Sequence, residues 1–95
     1  MAAYFILTLK VTHLRGFGKY LKKVLPVLDK YGGRYLVHGG EFEVLEGGWN
    51  PSRVALLEFP SMEKAQEFYR SEDYKPLLDL RMSSTHSKVV LVDGV

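Results

Sequence analysis

Tyr31-Gly32-Gly33-Arg34-Tyr35-Leu36-Val37-His38-Gly39-Gly40-Glu41 is the stretch that decides the fold. Before it, Phe17, Tyr20, Leu21, Val24, Leu25, Leu28 and Tyr31 recur at helical spacing. Lys19, Lys22, Lys23, Asp29 and Lys30 take the other side. This is an amphipathic helix with one buried face. Pro26 removes one of its backbone hydrogen bonds and should bend it. Gly32 suits the left-handed residue that ends a helix. Arg34 to His38, between the glycine pairs, reads as a short strand. The second pair breaks that strand and sets Glu41 beside its end.

Working outward, Tyr4 to Val11 is β-branched and aromatic, which predicts a strand. Thr12 to Gly16 reads as a connection. Beyond the second glycine pair, Glu41 to Glu46 alternates polar and apolar residues, as a short edge strand or hairpin arm does. Gly47-Gly48-Trp49-Asn50-Pro51 is a loop. Arg53 to Phe59 is a further strand, ended by Pro60. Ser61 is a suitable helix N-cap, with Glu63 in the positive first turn. Met62, Ala65, Phe68 and Tyr69 mark the buried side of that helix. Tyr74 to Arg81 adds a helical turn or two, with Pro76 near its start. Met82 to Thr85 reads as a loop and His86 to Asp93 as the last strand. Two β-α-β halves predict an α+β fold: a ferredoxin-like split βαβ with an antiparallel sheet and helices on one face. Residues 1–95 are expected to form a single domain.

Composition narrows the function classes. Hydrophobic residues are 46% and charged residues 25%, an ordinary globular balance that argues against disorder. A net charge of +2, with no basic run longer than Lys22-Lys23, argues against a nucleic-acid partner. The absence of cysteine excludes disulfides, thiolate zinc sites and thiol nucleophiles. No apolar run reaches the length of a membrane span, and no basic leader precedes the first strand. A cytoplasmic protein without a membrane partner is the expectation.

The strand faces point to assembly. A sheet covered on one side alternates apolar and polar residues. Here Ile6 and Leu7, Tyr35 and Leu36, Leu56 and Leu57, and Val90 and Leu91 put apolar side chains on both sides. Two helices cover one side, and a second copy across a two-fold axis is the expected cover of the other. Burying on the order of 1,000 Å² of apolar area yields roughly 25 kcal/mol gross, before the costs of association. A homodimer through the sheet face is expected.

Several spaced motifs resemble a known family. They are Gly32-Gly33-Arg34-Tyr35-Leu36-Val37 with Gly39-Gly40, Leu45-Glu46-Gly47, Trp49-Asn50-Pro51 and Glu58-Phe59-Pro60-Ser61, with Tyr69, Ser71, Tyr74 and Arg81 beyond. The likeness covers nearly the whole chain and is to the domain-of-unknown-function family numbered 1330. It implies a dimeric α+β barrel, a fold shared with cofactor-free monooxygenases and chlorite dismutase relatives. It implies no particular activity.

Candidate chemistry gathers on the strands and their ends. If the polar-bearing sides align, Thr8, Lys10, Arg34, His38, Glu58, His86 and Lys88 share one face. His38 is the candidate general base, since imidazole titrates near neutral pH. Glu41 is the candidate to orient it. Arg34 and Arg81 suit a carboxylate or oxyanion through bidentate hydrogen bonds. Trp49, Arg53 and Tyr74 would line a pocket mouth. Each has a bland counterpart: a hydrogen-bonded strand-end histidine, structural ion pairs of Arg34 and Arg81, and a loop-packing Trp49. His13 reads as exposed. His38 and His86 with Glu41 or Glu58 could make a facial metal set, but no close ligand spacing supports it, and no metal or cofactor is expected. Gly32-Gly33 follows a helix and precedes a strand, the reverse of a phosphate loop. Ser83-Ser84-Thr85-His86 lacks a hydrolase elbow. Two functions remain: a cofactor-free enzyme acting on a small organic molecule, carboxylate-bearing or apolar, in a cleft beside the sheet, or a non-catalytic ligand-binding or assembly module.

Overall fold

The computed structural model describes every residue from Met1 to Val95. The elements run β1 (Ala3–Val11), α1 (Leu14–Tyr31), β2 (Arg34–His38), β3 (Arg53–Phe59), α2 (Met62–Arg70), α3 (Lys75–Ser84) and β4 (Thr85–Asp93). The four strands form one antiparallel sheet in the order β2-β3-β1-β4. That is the ferredoxin-like order.

One side of the sheet carries Ala3, Phe5, Leu7 and Leu9 of β1 and Ala55, Leu57 and Phe59 of β3, all buried. They meet Phe17, Tyr20, Val24 and Leu28 of α1 and Ala65 and Phe68 of α2 in a single core. Period 2 in the strands and period 3.6 in the helices thus converge on one layer. Phe68 anchors it, packed against Phe59 at 5.0 Å and Tyr74 at 4.5 Å between ring centroids.

The helix ends follow the sequence signals. Gly32 closes α1 with φ 78°, the left-handed conformation that glycine adopts without steric cost. The Ser61 hydroxyl accepts from the Lys64 amide and caps α2. Three expectations are corrected. The connection expected over Thr12 to Gly16 is shorter: α1 starts at Leu14, capped by His13, which is exposed as expected and whose Nδ1 accepts from the Gly16 amide at 3.0 Å. Met82 to Ser84 is not a loop, because α3 runs to Ser84 and β4 follows at once. The Ser84 and Thr85 hydroxyls donate to the Leu80 and Arg81 carbonyls, which satisfies that helix end without a turn. Glu41 to Glu46 forms no strand. The ladder between β2 and β3 ends at His38 opposite Ala55, and the chain leaves the sheet until Arg53.

The other side of the sheet has no helix over it. The register groups Arg34, Glu58 and Tyr4, then Val37, Leu56, Ile6 and Val90, then Val54, Thr8 and Lys88, then Lys10 and His86. Its centre is apolar, with Ile6, Val37, Val90 and Val92 exposed. No helix is long and apolar enough to cross a membrane.

Candidate functional site

A polar cluster lies under the helices, inside an otherwise apolar layer. Its centre is Arg81, 3% exposed, in the last turn of α3. Its Nε donates to the Tyr74 hydroxyl at 3.3 Å and its Nη1 donates to the Ser87 hydroxyl. The Tyr20 and Tyr74 hydroxyls lie 2.8 Å apart. The chain's ion pairs are Lys30–Asp73, Arg34–Glu58, Lys64–Glu67 and Lys75–Glu72, so Arg81 has no carboxylate partner. Burial opposes its charge, but the hydroxyls of Tyr74, Tyr20 and Tyr69 outweigh that and raise its pKa above the usual arginine value. A buried cation satisfied only by hydroxyls is electrostatically incomplete.

Local sequence explains the placement. Ser71 accepts from the Tyr74 amide and donates to the Phe68 carbonyl, fixing the turn from which Tyr74 points inward. The amides of Thr12 and His13 donate to the Ser84 carbonyl, tying the start of α1 to the end of α3. Tyr20 enters from the buried stripe of α1.

Toward β2 the cluster continues through Tyr35, His38 and Arg53. The His38 and Tyr35 rings stack at 4.1 Å with 16° between planes. Burial, and next the Tyr74 hydroxyl, push the Tyr35 phenol up to about 12. Burial, and next the Arg53 guanidinium, hold the His38 imidazole below its ordinary pKa. Arg53 lies over the Phe17 ring, 5.4 Å from its centroid. Gly39 leaves room for it: a Cβ there would come within 2.5 Å of the guanidinium carbon, on a backbone with φ 70°.

The expected shared face is therefore corrected. A bulge between Tyr35 and Val37 inserts Leu36, so His38 pairs with Ala55 and turns to the helix side. Thr8, Lys10, Arg34, Glu58, His86 and Lys88 stay on the open side. Arg34 is spent there on Glu58, at 2.7 Å, and holds that carboxyl below its usual pKa. Glu41 is exposed in the segment after β2, with no hydrogen bond to His38. Trp49 is 55% exposed, beside Lys10, His86 and Lys88 at a groove of about 320 Å³ on the open side. The structure thus joins Tyr74 to Arg81 and sets His38 near Arg53, with Tyr35 between the two pairs, and separates Arg34, Glu41 and Trp49 from them. Sequence reasoning missed Tyr35 and Ser87, and placed Tyr20 only in the core. The signal for Tyr20 was a hydroxyl in an apolar helix stripe, which needs a buried partner. No cluster of histidine, aspartate and glutamate suits a metal ion.

The interior at this cluster is nearly closed. Phe5, Leu57, Phe68, Tyr69, Tyr74 and Arg81 are among the walls of a cavity of about 10 Å³.

The profile of the domain of unknown function DUF1330 matches residues 2–95, and the chain belongs to that family. No curated protein matches it. Solved structures share its fold. A protein of unknown function from Rhodopseudomonas palustris superposes with TM-score 0.80 at 15% identity, over 99% of this chain and 82% of the other. SnoaB, a cofactor-independent oxygenase from Streptomyces nogalater, gives TM-score 0.66 at 9% identity, over 99% and 93%. A dimeric protein of unknown function with a ferredoxin-like fold, from Bacteroides fragilis, gives 0.63 at 10%, over 98% and 96%.

Proposed function

We propose that this chain binds a small organic anion between sheet and helices, anchors it on Arg81, and uses His38 as a base upon it. The observation that carries the reading is the buried Arg81 guanidinium with hydroxyl partners and no carboxylate. An anionic ligand completes it, and the Tyr74 hydroxyl adds a second donor. His38, exposed at the end of β2, is pushed below its ordinary pKa by partial burial and by Arg53, which favours the form that can accept a proton. In the proposed step a C–H bond beside the ligand's carbonyl breaks, the proton goes to His38, and the electron pair moves onto the carbonyl oxygen. The cationic end of the site stabilises the enolate that forms. The same fold occurs in a cofactor-independent oxygenase, which agrees with a reading that calls for no cofactor.

The test is hydrogen exchange at C3 of phenylpyruvate in D2O, followed by proton NMR. The chain is expected to accelerate it, His38→Gln to slow it about 100-fold or more, and Arg81→Gln to raise KM. Exchange unchanged by His38→Gln contradicts the catalytic role.

The closed interior favours a second reading. With only about 10 Å³ free and the hydroxyls already bonded to Arg81, the cluster would be a polar scaffold of the core. It predicts that Arg81→Gln lowers the melting temperature and that no carboxylate raises it.

We further propose that the open sheet face closes on a second copy. Its exposed Ile6, Val37, Val90 and Val92 support this, and one structural relative is a dimer.

A further inference from the structure

We infer that the groove between α2 and β4 is the way into the Arg81 site, and that its occupant is an aromatic monocarboxylate. This rests on the reading of Arg81 as an anion anchor and adds the ligand class and the path. The groove holds about 290 Å³ and is lined by Phe5, Gln66, Tyr69, Arg70, Val89 and Leu91. Phe5, Tyr69 and Val89 also wall the small cavity that reaches Arg81. Of these shared walls Tyr69 is the exposed one, so we take its ring as the partition between the two spaces. That ring stacks on Phe5 at 5.9 Å, adjoins Tyr74 at 5.7 Å, and is 36% exposed. It packs against those two rings at the surface, which suits a side chain that swings outward. Chance packing of an edge does not explain the charges. No acidic residue lines either space, and the cations are Arg70 at the rim and Arg81 at the base, neither in an ion pair. An anion meets Arg70 first and Arg81 last. Between them the walls are rings and branched aliphatics, which fit a flat apolar body. With Tyr69 swung out, the ligand's ring takes its place against Phe5 and Val89 while the carboxylate reaches Arg81; this is a binding pose on the β4 side, away from His38 on β2, and is distinct from the pose of the proposed proton transfer.

The experiment is a titration of the whole chain with 3-phenylpropionate, which cannot react, read by NMR line shapes and calorimetry. Wild type is expected to bind, with acetate at least tenfold weaker. Gln66→Trp, on the outer wall, is expected to weaken binding tenfold or more. Tyr69→Ala is expected to raise both association and dissociation rates severalfold. If Gln66→Trp leaves affinity and rates unchanged while Arg81→Gln abolishes binding, the ligand arrives from the Tyr35–His38 side: the path is wrong and the anchor stands. If Arg81→Gln binds as wild type does, the anchor itself is wrong. If acetate binds as well as 3-phenylpropionate, or wild type binds neither, the ligand class is overturned.

Discussion

His38 shows how one side chain's neighbours set its chemistry. Burial and Arg53 both oppose its protonation, so the folded chain binds a proton at His38 less readily than the unfolded chain does. The unfolded state then carries more protons once pH falls below the ordinary histidine value, near 6.5. Stability is full above that value and declines with acidification until the lowered folded pKa is passed. Guanidinium unfolding from about pH 8 to about pH 5 should show this slope, and His38→Gln should remove its share. Arg53→Gln should raise the His38 pKa, read from its Cε1 proton by NMR. Gly39→Ala should do the same by displacing the guanidinium, and should cost about 1–2 kcal/mol from the left-handed backbone. A side chain's type was legible at this scale and its partner was not. Histidine at position 38 suggests a base, but whether Glu41 or Arg53 stands beside it depends on which way the strand faces.

That facing is settled by β2. Strand alternation alone would put His38 with Arg34, two pleats along the same face. The bulged Leu36 shifts the count by one and sends His38 to the helix side. No glycine or proline marks the bulge, so periodicity could not reveal it. Deleting Leu36 should leave the faces of Tyr35, Val37 and His38 unchanged, since Tyr35 already pairs with Leu57 and His38 with Ala55. A His38 pKa that stays depressed in the deletion variant supports the register; a return to the ordinary value refutes it. Two helix ends do carry a direct local signal. Gly32 and Ser61 end and begin helices where their chemistry demands, and Ser61→Ala should cost about 1 kcal/mol. Glu41 to Glu46 misled because alternation describes a strand only when a neighbour offers a ladder, and β3 begins at Arg53.

For the molecule as a whole, the apolar open face and the polar cluster beneath the helices divide the work. The strand order and helix layer were legible because β-branched runs, helical stripes and caps agree with one another. The geometry was legible in part: Tyr74 and Arg81 meet beneath the helices, whereas Arg34 holds Glu58 on the far side. Ile6→Asp, at the centre of the open face, should turn the proposed dimer into a monomer in light scattering while the helical circular dichroism persists. An unchanged mass would place the interface elsewhere. The central claim concerns Arg81, and the most direct measurement is the Nε–H NMR resonance of each arginine in ¹⁵N-labelled protein titrated with phenylpyruvate. The Arg81 signal should move saturably and follow the affinity found by calorimetry, while Arg34, already bound to Glu58, stays still. Movement confined to the surface arginines, with Arg81 unperturbed at saturation, would contradict an anion site at the heart of the fold.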